Sequence, residues 1–343
     1  MMIDSVNGKT RAAVLCALLI VGLSACTRGG SSGSSNDSGK YTIAVVPMSS
    51  VHEFWNTIHA GAIKAARELN VDIIWKAPQV NEDREKQIAL LESLVVRAVD
   101  GIVLAPVDAV ALAPAVEDAV GKEIPVVIID SALESDRHIS FIATDNYKGG
   151  IAGGHHLAKL LDGKGKVMML RSYEGVSSTM NRERGFLDAI KEYPGIEVVS
   201  SNQRSGSTVE HGYQKSEQLL SKFKSADGGL VVDGIFTSCE PVSHGMMRAM
   251  EDGNFVGKAV HVGFDASPKL VEGLRAGHID GLVVQDPMKM GYLGVKTIVD
   301  HLEGKTVTAH VDTGAYIITP ENVDDPEKKN VVEPDLDRWL KSP

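Results

Sequence analysis

The sequence is poor in cysteine, has no excess of basic residues and contains no long apolar run. Its 343 residues include only three cysteines, too few for a disulfide framework or a structural zinc ribbon. Acidic residues outnumber basic ones by 45 to 35, which argues against a nucleic-acid binder because that class needs a basic surface. The uncharged stretch 12–23 is shorter than the ~20 residues that span a bilayer. What remains is an ordinary globular composition, and the length predicts about two domains.

The first 25 residues have the pattern of a bacterial lipoprotein signal peptide. Two basic residues precede the apolar stretch, and the LSAC motif at 23–26 resembles a lipobox, in which Cys26 is lipidated and becomes the new N-terminus. Residues 26–40 are rich in Gly, Ser, Asn and Asp, which predicts a flexible tether. A buried N-terminal helix with an incidental cysteine is the alternative. After export Cys239 has no thiol partner, so we expect it to be buried.

From residue 41 onward, short β-rich runs alternate with stretches of helical periodicity. The strands are continuously apolar, as at 42–46 and 125–129, which is typical of a parallel sheet covered on both faces. The pattern starts again near residue 145, so the sequence predicts α/β architecture with two doubly wound halves, 41–144 and 145 onward. Residues 320–343 predict a tail that packs on the surface. Further predicted strands are 72–75, 101–105, 166–170, 196–200, 234–237, 259–264 and 282–284.

The sequence contains no complete catalytic motif. Residues 29–33 nearly match a nucleophile elbow, but they lie in the tether without a strand or helix around them. His52-Glu53 begins like a zinc-protease helix, but the second histidine of that motif is missing. Residues 163–166 lack the remaining glycine and the Ser/Thr of a phosphate loop. We therefore predict a protein that is not an enzyme and that uses no cofactor and no metal.

Polar and aromatic side chains follow the predicted strands at the edge where parallel sheets bind ligands. Asp130 and Asp265 could instead be helix N-caps, and Gln285 could be a solvated loop residue. Phe54 and Trp55 cannot both face one core from a helix, so one of them should face the sheet edge. The residues that follow the strands are Met48, His52, Phe54, Trp55, Asp108, Asp130, Ser131, Ser238, Cys239, Glu240, Asp265 and Gln285.

These residue types have the chemistry of a sugar site. An aromatic ring offers a flat apolar platform to the CH face of a pyranose. Carboxylates accept hydroxyl hydrogen bonds, and charge-assisted hydrogen bonds are roughly twice as strong as neutral ones. A glutamine side chain supplies both a donor and an acceptor. The edge therefore predicts a binding site for a hydroxyl-rich small molecule.

The chain resembles the ribose-type periplasmic sugar-binding proteins of ABC importers over about residues 41–318. The resemblance implies two lobes of the type I periplasmic binding protein fold, joined by three crossings near residues 144–145, 285–286 and 314, with the ligand between them. It implies an N-terminal lobe of 41–144 plus 286–314 and a C-terminal lobe of 145–285 plus 315–343. The segments that carry the resemblance are 41–61, 125–130, 141–150, 262–265 and 283–285.

The resemblance also assigns ligand-binding positions. Phe54 and Trp55 fall where the family sandwiches the sugar ring, and Asp130, Asp265 and Gln285 fall on its hydroxyl-binding positions. Other positions depart from ribose binders, so the resemblance implies a small polyhydroxylated ligand rather than ribose itself. Met48 and His52 stand at positions that are polar in ribose binders, and Ser131 stands in place of an arginine. Cys239, beside Glu240, occupies an asparagine position, and Ser207 occupies an aromatic position. Either Arg182 or Met180 falls near the position of a sugar-contacting arginine of the family.

The sequence thus predicts a lipid-anchored, periplasm-facing, monomeric receptor in the cell envelope. It would close around a monosaccharide or related polyol and deliver it to an ABC permease in the inner membrane. A chemotaxis or sensory receptor for the same ligand is the alternative. A repressor of this fold would need a helix-turn-helix where the lipobox and tether lie. A glycoside hydrolase would need Asp130 and Asp265 to act as a catalytic pair.

Overall fold

The computed structural model describes residues 39–50, 52–79 and 83–341. The predicted signal peptide, the lipidated Cys26 and nearly all of the tether lie outside the described residues. From Lys40 onward the chain forms one unit, which contains two six-stranded sheets. None of the helices in the described part is long and apolar enough to cross a membrane.

The first sheet is entirely parallel and is covered by helices on both faces. Its strands are β1 (Thr42–Val46), β2 (Asp72–Trp75), β3 (Gly101–Leu104), β4 (Val126–Ile129), β5 (Ser140–Ala143) and β11 (His310–Asp312). They lie in the order β11-β5-β4-β3-β1-β2. The helices packed on this sheet are α1 (Glu53–Leu69), α2 (Arg84–Val96), α3 (Ala113–Gly121) and α9 (Pro287–Leu302).

The second sheet repeats this arrangement with one antiparallel edge strand. Its strands are β6 (Lys164–Arg171), β7 (Gly195–Arg204), β8 (Gly234–Thr237), β9 (Val260–Phe264), β10 (Gly281–Gln285) and β12 (Ala315–Ile318). They lie in the order β12-β10-β9-β8-β6-β7, with β12 antiparallel to β10. The helices of this half are α4 (Asn146–Leu160), α5 (Ser177–Ile190), α6 (Val209–Lys222), α7 (Glu240–Asp252) and α8 (Pro268–Ala276), and two short helices, α10 (Lys329–Val332) and α11 (Asp337–Leu340), follow near the C-terminus.

The apolar runs of the sequence form the central strands, where every residue of β3, β4 and β8 is buried. Burial on both faces explains why these strands show no polar alternation. The helix that follows β3 does not begin directly after the strand end but only at Ala113. The reason is that the Asp108 carboxylate accepts hydrogen bonds from the backbone N–H of Val110 at 3.0 Å and of Ala111 at 2.9 Å, which holds these residues in a turn.

The chain passes between the two sheets three times: after β5, after β10, and between β11 and β12. Two of these passages are tied together, because Thr144 Oγ1 donates to the carbonyl oxygen of Gly314 at 3.0 Å and the Asp145 N–H donates to Asp312 Oδ1 at 3.1 Å. Asp145 and Asp286 also cap the helices that follow two of the passages. Two of the three passages therefore lead directly into capped helices, while the third, between β11 and β12, is hydrogen-bonded to the first.

The C-terminal residues reach both halves of the molecule. Val323 and Val332 are buried in the core of the second half, and Glu333 forms an ion pair with Arg275 at 2.8 Å. Further on, the carbonyl oxygen of Trp339 accepts a hydrogen bond from Arg67 of α1 at 3.1 Å. The segment expected as a surface tail thus contributes to one core and contacts a helix of the other half.

Candidate functional site

Two aspartates occupy equivalent turns at the ends of strands in different sheets. Asp130 follows β4 with φ of 62°, and Asp265 follows β9 with φ of 70°. This left-handed conformation is rare outside glycine, although Asp and Asn tolerate it, and such residues cluster at functional sites. Neither aspartate is the N-cap residue of the helix that follows it in the chain, since Ser267 is the N-cap of α8 and Asp145 is the N-cap of α4. The N-cap alternative is therefore wrong for both.

The guanidinium of Arg182 lies between these two aspartates. Its Nη1 is 3.4 Å from Asp265 Oδ2, and its Nη2 is 3.9 Å from Asp130 Oδ1. The group is held on other sides as well, because Nε donates to Asn146 Oδ1 at 2.8 Å and the guanidinium lies over the Phe264 ring at 4.0 Å. One buried cation is thus shared by one carboxylate from each half.

Close packing of α4 against α5 sets the position of Arg182. A Cβ on Gly150 would lie 2.1 Å from the carbonyl oxygen of Arg182, so α4 can approach α5 this closely only with glycine at that position. Met180, the other residue considered for this position, is 42% exposed, whereas Arg182 is 2% exposed. The structure therefore turns Arg182, and not Met180, toward the aspartates.

Gln285, the last residue of β10, presents an unpaired acceptor. Its Nε2 donates to Asp265 Oδ1 at 2.6 Å, while its Oε1 is buried and has no hydrogen-bond partner among the described residues. A buried acceptor without a donor costs ~1–3 kcal/mol. A hydroxyl group of a ligand would remove that cost. Gln285 is not the solvated loop residue of the alternative interpretation, since it is 1% exposed.

The start of α1 supplies aromatic side chains from the first half. The rings of Phe54 and Trp55 meet edge to face, with centroids 5.0 Å apart and planes at 87°. Both line the same cavity, although Trp55 also packs into the core. His52 is 9% exposed and is therefore not an exposed turn residue.

The start of α7 faces His52 from the second half. Glu240 Oε2 lies 3.7 Å from His52 Nδ1, and the Glu240 N–H donates to Asp265 Oδ2 at 3.2 Å. Burial lowers the pKa of His52, despite the nearby Glu240 carboxylate, which raises it. Cys239 is a free, buried cysteine, as expected from the sequence, and burial raises the pKa of its thiol to about 12. Its thiol is therefore protonated at neutral pH.

Burial also dominates the titration of the two aspartates. It raises the pKa of Asp130 to about 6, because desolvation of the carboxylate outweighs the opposing effect of Arg182. The pKa of Asp265 is raised by burial too, while Arg182 and the hydrogen bond from Gln285 lower it. Both groups are therefore poorly solvated acceptors, which gain more than exposed ones from a polar ligand.

All eleven residues predicted as ligand-binding line one cavity, which we call the ring cavity. Its volume is about 50 Å³. Asp108 does not line it and instead pairs with Arg84 at 2.8 Å. The eleven residues are Met48, His52, Phe54, Trp55, Asp130, Arg182, Ser207, Cys239, Glu240, Asp265 and Gln285.

The sequence interpretation missed several polar residues of the ring cavity, among them Ser172, Tyr173 and Ser178. The first two directly follow β6, so reading the end of this strand as the other strand ends were read would have found them. Ser178 joins the two halves, because its N–H donates to Ser131 Oγ at 3.1 Å and its hydroxyl donates to Asp130 Oδ2 at 3.4 Å.

Comparisons with known proteins place this geometry in a family. Residues 43–306 match the periplasmic binding protein domain. The ribose import binding protein of Haemophilus influenzae is 29% identical over 286 residues, which cover 83% of this chain and 94% of the relative. The xylitol-binding protein of Mycolicibacterium smegmatis is 25% identical, over 93% of this chain and 88% of the relative.

Solved structures show the same fold. A carbohydrate transporter solute-binding protein from Agrobacterium radiobacter, in complex with D-arabinose, is 31% identical with a TM-score of 0.82, covering 86% of this chain and all of that one. An ABC transporter solute-binding protein from Agrobacterium vitis with bound D-fucose is 32% identical with a TM-score of 0.80, covering 85% and 99%. The predicted family and fold class are confirmed. The chain belongs to the periplasmic binding protein family, among the solute-binding proteins of sugar ABC importers.

Proposed function

We propose that the ring cavity binds one monosaccharide or related polyol between two lobes that close around it. The lobes would be residues 41–144 plus 286–314 and residues 145–285 plus 315–343, with the three passages between the sheets as the hinge. The observation that carries this proposal is that Asp130 and Asp265, one from each sheet, lie on either side of Arg182. A ligand that contacts both lobes favours the closed state, whereas a ligand held by one lobe does not.

The residues of the ring cavity have complementary roles in this proposal. Phe54 and Trp55 offer apolar faces to the CH groups of the ring. The carboxylates of Asp130 and Asp265 accept hydrogen bonds from hydroxyl groups, and the free Oε1 of Gln285 accepts another. The remaining predicted residues, Met48, His52, Arg182, Ser207, Cys239 and Glu240, shape the cavity and set which hydroxyl pattern fits. In this role no residue acts as a catalyst.

The closed complex would deliver its ligand to an ABC permease in the inner membrane, with the protein acting as a monomer. The relatives named for ribose import and carbohydrate transport support this role over sensing. We propose that a lipid on Cys26 holds the protein at a membrane in the cell envelope and that the Gly/Ser-rich segment links this lipid to the body. Loss of growth on the ligand in a deletion strain would favour transport over sensing.

Calorimetric titration of the purified protein against pentoses, hexoses, amino sugars and polyols tests the binding proposal. We expect at least one member of this panel to bind with a single site per chain. No heat of binding with any member of the panel would contradict the proposal.

A further inference from the structure

A second cavity adjoins the ring cavity, and the two share three lining residues. Its volume is about 200 Å³, against about 50 Å³ for the ring cavity. Phe54, Asp265 and Gln285 line both spaces. We call the larger space the side cavity.

The side cavity is walled by both halves and by the C-terminal segment. Thr57 of α1 lines it from the first half, Ser267 at the start of α8 lines it from the second, and Val331 and Val332 line it from α10. Thr57 and Ser267 are buried, and the other residues that line the cavity include valines and prolines. The Thr57 hydroxyl donates to the carbonyl oxygen of Glu53 at 3.1 Å, and Ser267 Oγ accepts a hydrogen bond from the Leu270 N–H at 3.4 Å. This mixture of hydroxyl and apolar groups resembles that of a surface for a sugar ring.

The charges around the side cavity disfavour an anionic occupant. The described residues that line it include three carboxylates, those of Glu53, Asp265 and Glu333, and no lysine or arginine. Glu333 pairs with Arg275, and Asp265 lies beside Arg182, which leaves the Glu53 carboxylate without a basic partner at the cavity. A phosphate or carboxylate group placed there would face this negative charge without compensation.

We infer that the ring and side cavities form one extended site for a neutral disaccharide or glycoside, with the second unit in the side cavity. This inference rests on the proposed function. Gln285 stands at the junction, and its buried Oε1 has no partner among the described residues. A hydroxyl group or glycosidic substituent that leaves the first ring beside Gln285 and Asp265 enters the side cavity.

Calorimetry tests the inference with free monosaccharides, with the neutral disaccharides built from them in every common linkage, and with the corresponding sugar phosphates. We expect one disaccharide to bind at least about tenfold more tightly than either of its monosaccharides. Val331→Phe, which fills the side cavity, should remove this gain and leave monosaccharide affinity within about twofold. Thr57→Leu also fills the side cavity, from the α1 side, and should likewise remove the gain. Val331→Ala is the control, because it adds space and should retain the gain.

The outcomes separate the extended site from the proposed function. Monosaccharide binding without a gain for any disaccharide, or a gain that survives both filling variants, overturns the extended site and leaves the proposed function standing. A gain for sugar phosphates instead of neutral disaccharides overturns it too. If neither monosaccharides nor disaccharides bind, both proposals fail.

Discussion

Asp130 and Asp265 have nearly the same backbone conformation at the ends of strands in two different sheets, with φ of 62° and 70°. The backbone N–H of Asp130 donates to the carbonyl oxygen of Ile142 at 3.2 Å, and that of Asp265 donates to the carbonyl oxygen of Val283 at 2.8 Å. Each aspartate thus continues the hydrogen bonding of its sheet. Each carboxylate is thereby turned toward Arg182. The two halves of the chain thus contribute matching turns to one site, and this relationship underlies the predictions below.

Removing either carboxylate should abolish detectable sugar binding while the fold is retained. Losing a hydrogen bond to a charged group costs ~1.5–3 kcal/mol, and partners left unpaired add to this cost. Asp130→Ala and Asp265→Ala remove the carboxylate, but they also place alanine in the left-handed region of backbone conformation, which costs ~1–2 kcal/mol. Asp130→Asn and Asp265→Asn are the better variants because Asn tolerates that conformation. Calorimetry measures binding, and thermal unfolding checks the fold. Unchanged affinity in both Asn variants would place the site elsewhere.

Sugar affinity should fall as the pH decreases through about 6, the pKa of Asp130. Binding through the carboxylate form favours deprotonation, so below this pKa a proton must be released on binding. Affinity should therefore be about tenfold weaker at about pH 5 than at about pH 7, and flat above that. Calorimetric titration across this range measures the effect. A wild-type affinity that rises toward low pH would contradict the assignment.

Arg182→Lys should weaken both binding and folding. Lysine keeps the positive charge but cannot face two carboxylates and Asn146 at once, because it lacks the planar fork of guanidinium. Arg182→Met removes the charge and leaves two buried carboxylates facing each other, which costs ~3–5 kcal/mol in comparable buried pairs. Denaturant unfolding should rank the wild type above Arg182→Lys and Arg182→Met last. Equal stabilities of all three would show that Arg182 does not neutralise these aspartates.

Gly150→Ala should destabilise the protein and weaken sugar binding together. The added methyl group would meet the Arg182 carbonyl oxygen at 2.1 Å, so α4 and α5 must separate, at ~1–3 kcal/mol for an overpacked core, and Arg182 must move. Gly121→Ala is the matched control, because its methyl group would meet nothing within 4 Å. Unfolding free energy and sugar affinity should change only in Gly150→Ala. Identical behaviour of the two variants would contradict the close-packing argument.

Much of the fold was predictable because its strands are continuous apolar runs. Periodicity located β1, β2, β8 and most other strands to within a few residues, since burial on both faces leaves a clear pattern. It missed β5, β11 and β12, which lie at or next to the edges of their sheets and near the passages. The return of residues 287–312 to the first sheet has no local signature, because a helix and a strand look the same whichever sheet they join. Only the family resemblance implied it.

The candidate site was predictable where residues follow strands and less so elsewhere. Strand ends led to Asp130, Asp265 and Gln285, because parallel strands end at the binding edge. Arg182 lies within α5, and its role depends on how closely Gly150 lets α4 approach, so the sequence left Met180 open as well. The side cavity could not be foreseen, since it needs the C-terminal segment to fold back beside α1 and α8.

The most direct test of the central claim is a crystal structure of the protein with the sugar that binds most tightly in the panel. We expect the ring in the ring cavity, with hydroxyl groups within hydrogen-bond distance, ~2.5–3.0 Å, of both Asp130 and Asp265 and with Phe54 or Trp55 against a CH face. A sugar bound outside this cavity, or held by residues of one half alone, would contradict the account.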